Sequence, residues 1–197
     1  MTATELNEKF EKTANDMKSD VMGKVMVQIA SQALVTIRRR VKETGINAEG
    51  QKYIPYSTRP MLSGCKGFLN KTNCPATSKA KRKEMKWVTI ERNGKNYRLF
   101  EIPGGYKEFR ELNNLQTSFV DFAFSNRMWS NIKIVSSYAE HSAGVARIAA
   151  STPEDKSKLE GNTKHRGDIL KLSDAEIKEI VNDFKMNIVQ SIHNNGL

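Results

Sequence analysis

TIRRRVKETGINAEGQKYIPYS, from Thr36 to Ser57, changes conformation twice within one short stretch. Arg38, Arg39, Arg40 and Lys42 crowd the last turn of an expected helix, where cations oppose the negative end of the macrodipole. Gly45 then acts as a stop, because glycine accepts the left-handed conformation that closes a helix. Asn47-Ala48-Glu49-Gly50 reads as a polar turn. Tyr53-Ile54-Pro55-Tyr56 resumes in extended form, since proline drives the preceding residue out of the α region. A helix end feeding a turn and then an extended segment implies a mixed fold.

Upstream, residues 4 to 44 read as one long helix or two in line. Leu6, Phe10, Ala14, Met17, Val21, Val25, Ile29, Ala33, Ile37 and Val41 recur every three or four residues and form one apolar stripe. Unbroken, such a helix is about 60 Å long at roughly 1.5 Å per residue, more than a small domain covers. Phe10, Met17, Val21, Val25 and Ile29 are therefore expected to meet another subunit.

Downstream, residues 59–86 lose periodicity and gather Gly, Ser, Asn, Thr and Lys, which reads as a mobile or partner-ordered loop. Asn93-Gly94 then marks a hairpin. A two-residue turn there pairs Ile90 with Tyr97 and Val88 with Leu99 on an apolar face, with Thr89 and Arg98 on the other. A second ribbon is expected from Phe119–Phe124 through Ser125-Asn126-Arg127 into Met128–Val135. Residues 144–172 are polar and read as a long loop or arm lying on a neighbour. Ser173-Asp174-Ala175-Glu176 is a capping box opening a final helix, whose Ile177, Ile180, Val181, Phe184, Ile188 and Ile192 share a face. The expected class is α+β, with long N- and C-terminal helices on antiparallel hairpins.

Charge is unevenly placed. The chain carries a net +10 over 197 residues, and residues 38–86 alone hold thirteen basic and three acidic side chains. Lys79, Lys81, Arg82, Lys83 and Lys86 are the densest run, suited to phosphates or to an acidic protein surface; the bland reading is a loop kept soluble by lysines. Nothing approaches the roughly 18–20 apolar residues of a membrane span, and MTATELNEKFEK has no signal-peptide core, so a cytoplasmic origin without membrane contact is expected. In a reducing compartment Cys65 and Cys74 are expected as free thiols, with a bridge as the alternative in an oxidising one.

No catalytic motif, metal set or cofactor fingerprint emerges. His141, His165 and His193 have no ligand spacing, and Glu140 and His141 diverge on any regular element. A structural His141 is favoured over a hydrolytic one. Ser118, Ser142 and Ser173 lack a nucleophile elbow, and Pro103-Gly104-Gly105 lacks the terminal residues of a phosphate loop. Arg166-Gly167-Asp168 is read as a chance triplet.

Four stretches, in order, resemble the phage virion-morphogenesis and tail-completion family. They are the basic helix end with Gly45, Asn47, Gly50, Tyr53, Pro55 and Ser57, then Leu115-Gln116-Thr117-Ser118-Phe119. Tyr138-Ala139-Glu140-His141-Ser142-Ala143-Gly144 follows, and Arg166-Gly167-Asp168-Ile169-Leu170-Lys171-Leu172-Ser173 comes last. The chain departs from the pattern in a long insert from about 61 to 114, and in lacking the usual glutamine after the histidine. The resemblance implies a single tail-completion or neck-like domain over residues 1–197, with an inserted basic loop and hairpin at about 59–114. It implies structural roles for Gly45, Gly50, Pro55, His141, Gly144 and Arg166. It further implies a virion structural protein, assembled in the bacterial cytoplasm as a six- or twelve-fold ring beside portal, adaptor and tail proteins. In such a ring Arg38, Arg39, Arg40, Lys42 and the 79–86 cations would face packaged DNA or an acidic partner. The alternative from the residues alone is a basic nucleic-acid-binding module, against which the run lacks interleaved aromatics.

Overall fold

The computed structural model describes residues 22–140 and 143–194. The class is α+β, with helices accompanying antiparallel hairpins. The chain divides into two compact units: Met1–Gln51 with Asn126–Leu197, and Lys52–Ser125. The expected insert at about 59–114 falls within the second unit. No described helix is long and apolar enough to cross a membrane.

In the first unit, helix α1 is described over residues 22–39 and tightens into a π-helical turn at Arg40–Thr44. Gly45 closes it as expected, at φ 65° and ψ 32°, donating its N–H to Val41 O at 3.1 Å. The Asn47 carboxamide oxygen caps the next turn, accepting from Glu49 N at 3.1 Å and Gln51 N at 2.8 Å, while Gly50 adopts φ 78°. Ala30, Ala33, Leu34, Ile37 and Val41 are buried, so the C-terminal half of the helix's apolar surface is used within the chain.

Two expectations fail in this unit. Met128 and Trp129 do not begin a strand; they are buried in helix α4 (Arg127–Asn131). The hairpin forms later, between β4 (Ile132–Glu140) and β5 (Ala143–Ala150), with a register shift between Ile134 and Ser136. The expected arm at 144–172 is instead β5 followed by helix α5 (Pro153–Arg166). Thr152 caps α5 and Pro153 occupies its first turn, where the missing N–H costs nothing. Helix α6 (Asp174–Asn194) begins with the expected capping box: Ser173 N donates to Glu176 Oε2 at 2.8 Å, and Glu176 N to Ser173 Oγ at 3.2 Å.

Asp155 anchors α5 to α4. Its fully buried carboxylate accepts from Thr152 Oγ1 at 2.7 Å and Asn131 Nδ2 at 2.6 Å. The Thr152 bond, then the Asn131 bond, hold its pKa below the ordinary 3.8 against the opposing effect of burial. A depressed folded pKa gives stability that is present above the unfolded value and lost as pH falls through the folded one. The thermal-stability advantage of wild type over Asp155→Asn should therefore shrink as pH drops below about 4. A pH-independent difference between the two would count against this linkage.

In the second unit, strands β1 (Met61–Ser63), β2 (Trp87–Arg92) and β3 (Lys95–Ile102) form a sheet in the order β1-β3-β2. The hairpin register is as expected, with Val88 opposite Leu99, Thr89 opposite Arg98 and Ile90 opposite Tyr97. Asn93 and Gly94 both take positive φ in the turn. The core lies on the other face from the one expected. Phe100 and Ile102, with Trp87 and Met61, pack against Phe68, Cys74 and Phe109, so Thr89 and Arg98 share the core's side farther along the ribbon. Leu62 and Tyr97, on the opposite face, remain exposed.

Residues 59–86 are not a featureless loop. They hold β1, three short 3-10 turns and helix α2 (Lys79–Glu84). Cys65 and Cys74 are joined in a disulfide, not free, with Cα atoms 5.3 Å apart and Cys74 buried in the core. The turns of the intervening segment bring the two thiols together, which composition could not reveal. In the chain-entropy account, Cys65→Ala with Cys74→Ala, or added reductant, should cost this unit about 2–3 kcal/mol in urea denaturation.

Phe119–Phe124 is irregular, not a strand. Asp121 Oδ1 accepts from Ala123 N at 2.9 Å and Phe122 takes φ 53°, which bends the backbone out of extension. Helix α3 (Gly105–Leu112) precedes this segment and supplies Arg110 to it.

Candidate functional site

The basic helix end of the first unit is a structural hub. Arg38 Nη2 donates to the carbonyls of Trp129 at 2.6 Å and Ile132 at 2.8 Å, fastening α1 to the entry of β4. Arg40 pairs with Glu176 and donates to Lys171 O at 2.7 Å. Lys171 returns the link, its ammonium 2.6 Å from Glu49. Each partner's charge favours the other's, so Glu49 is held below its ordinary value and Lys171 above it, chiefly through their mutual hydrogen bond. Of the four cations, Arg38 and Arg40 are spent inside the unit. Arg39 is exposed and Lys42 half-buried.

The other predicted residues scatter. Val25 and Ile29 are half-buried on α1, while Phe10, Met17 and Val21 lie outside the described residues. His141 also lies outside them. Gly144 sits where a β-carbon would stand 3.0 Å from Met22 Cγ and 2.9 Å from Met26 Sδ, so its lack of a side chain lets β5 approach α1. Gly45 and Gly50 serve the cap and the turn already described. Pro55 lies in an exposed extended segment, and Arg166 ends α5.

Lys79, Lys81, Arg82, Lys83 and Lys86 belong to the other unit, all exposed on or just after α2. That unit, Lys52–Ser125, holds 14 Lys and Arg against six Asp and Glu, or +8 of the chain's +10. Charge partition along the sequence had merged these cations with the 38–42 run, whereas the fold assigns the two clusters to different units.

An arginine and a tryptophan missed by the sequence reading complete this cationic surface. Trp87 faces Phe100 across the ribbon, which makes Arg98 its diagonal neighbour on the same face. The Arg98 guanidinium lies 4.6 Å from the Trp87 ring centre, and that of Arg82, from α2, lies 5.8 Å from it. Trp87 Nε1–H also donates to Arg82 O at 3.2 Å. The recoverable signal was the hairpin register itself, once extended to its first pair.

A cavity of about 390 Å³ in this unit is lined by Phe100, Ile102, Met85 and Leu112, with charges of both signs at Lys81, Glu84, Lys86 and Glu101. Lys86 and Glu101 neutralise each other at 2.6 Å, and Glu108 is committed to Gly104 N at 2.6 Å. Among the described residues no group of three or more His, Cys, Asp or Glu is placed to hold a metal.

The buried polar centre of the unit is Arg110. It donates to both oxygens of Asp121 at 3.0 and 3.1 Å, to Gln116 O at 3.1 Å and to Ala123 O at 2.9 Å, and lies over the Tyr56 ring at 4.4 Å. The Tyr56 hydroxyl donates to Asp121 at 2.8 Å. Burial pushes that hydroxyl's pKa well above its ordinary value, so it stays protonated. Arg110, Asp121 and Tyr56 thus bond to one another within the unit.

No protein-family model, curated protein or solved structure matches the chain.

Proposed function

We propose that the chain is a non-catalytic structural protein of a tailed-phage virion. In this reading it is a subunit of the head–tail connector, neck or tail end, and joins portal to tail as a ring around the DNA path. One observation supports it above the rest. Arg40, in the first stretch of family resemblance, contacts Lys171 in the last, 131 positions away, and Glu176 just beyond it. The first and last of the four stretches thus meet in one hub, as expected if they are parts of a common framework. A repeated heterologous contact then closes a ring when its rotation closes.

Electron microscopy of virions, or of the chain co-expressed with the portal protein, tests this reading. A ring at the portal vertex or tail end is the expected result. A chain absent from virions, and monomeric beside the portal, would overturn it. The second reading, a basic nucleic-acid-binding module, is favoured by the concentration of charge in the Lys52–Ser125 unit.

A further inference from the structure

We infer that the face of the Lys52–Ser125 unit built by α2 and Trp87 is a phosphate-backbone site for duplex nucleic acid, read without regard to sequence. The inference concerns a surface of the single chain and does not need the ring to exist.

Helix α2 has six residues, too few to hold itself together in water. Ser78 caps it, and Trp87 ties it down through the bond to Arg82 O. The helix nevertheless carries Lys79, Lys81, Arg82 and Lys83, with Lys86 following and Arg98 lying over the same indole. Apart from the Lys86–Glu101 pair, none of these cations makes an ion pair among the described residues. Such crowding of like charge opposes the fold, and a bound polyanion relieves it.

The two arginines are the specific element. Each guanidinium lies beside the Trp87 ring and, among the described residues, donates no hydrogen bond, which reduces the ordering cost of gripping a phosphate. The cations span a helix of about 9 Å at roughly 1.5 Å per residue. That length matches two or three successive phosphates of one strand, at about 3.4 Å of rise each. The surface is open, so it suits an extended backbone over a small enclosed anion. Arg98 and Phe100 already contact Trp87, so the ring is not a bare platform for a base. Backbone contact without base stacking predicts binding that is indifferent to sequence.

The test uses the full chain and a fluorescent mixed-sequence DNA duplex of about 30 base pairs, titrated from about 50 to 200 mM salt. Affinity should fall steeply with salt and change little when the sequence is scrambled. Arg82→Ala and Arg98→Ala should each weaken binding roughly three- to tenfold and reduce the salt slope by about one. Lys178→Ala with Lys185→Ala, which removes two charges from α6, should leave affinity and slope near wild type. Circular dichroism checks that each variant remains folded. No binding at about 100 mM salt, or an equal loss from the α6 control, overturns the site. Polyglutamate bound as tightly as DNA, with the same sensitivity to Arg82 and Arg98, also overturns it in favour of an acidic protein partner. A monomer that binds DNA while virions lack rings leaves this site standing and removes the connector reading. Rings without DNA binding do the reverse.

Discussion

Asp121→Ala is expected to destabilise the Lys52–Ser125 unit by about 3–5 kcal/mol, because it strands the Arg110 guanidinium without its counter-charge in a protein interior. Arg110 is 1% exposed, so water cannot replace the lost carboxylate. The same change removes the acceptor for Tyr56 Oη and for Ala123 N, which releases the bend at Phe122. Tyr56→Phe removes two hydrogen bonds, the one the hydroxyl donates to Asp121 Oδ1 and the one it accepts from Asp121 N, and should cost about 1–2 kcal/mol. Urea denaturation of the two variants separates the effects. If Asp121→Ala cost no more than Tyr56→Phe, the network would not be holding a buried charge.

Gly105→Ala is expected to cost about 3 kcal/mol or more, from a site with no charge at all. Gly105 sits at φ 66°, and an added β-carbon would stand 2.8 Å from the Ser57 carbonyl oxygen and closer still to that of Arg59. Two penalties combine: the left-handed conformation disfavours any L side chain, and the clash is with backbone, which cannot rotate away. Ser57 O also accepts the Lys107 N–H at 3.0 Å, so moving that strand to make room breaks the tie between α3 and the extended 53–57 segment. Gly94→Ala is the control, since it shares a positive φ but meets nothing within 4 Å. It should lose only the conformational part, about 1 kcal/mol. Equal losses at the two sites would show that crowding at Gly105 contributes nothing.

How much of this was readable in advance depends on how far each signal reaches. The Asn93-Gly94 register, the Gly45 stop, the Asn47 turn and the Ser173–Glu176 box all stand as expected, because each is settled by residues a few positions apart. Helix α5 was missed although its start and stop are written plainly, with Thr152 and Pro153 before two acids and Gly167 after three basic residues. A search for apolar periodicity passes over it because Leu159 is its one large aliphatic side chain. The ribbon assigned to Phe119–Val135 failed for the opposite reason. Its aromatic and aliphatic alternation suits a strand, but the Asp121 network and the burial of Met128 and Trp129 override that preference.

The sequence by itself determined the class of fold, the local stops and turns, and the concentration of positive charge in the middle of the chain. Tertiary structure decided which of those charges are available. It committed Arg38 and Arg40 to carbonyls and a carboxylate far along the chain, and left Arg82 and Arg98 beside Trp87 without an acidic partner among the described residues. It also closed Cys65 to Cys74 and chose which face of the hairpin meets the core. The physical reason is common to all four. Turns and caps are fixed by backbone geometry over a few bonds, whereas pairing of charges, thiols and sheet faces depends on which distant groups packing brings within a few ångströms.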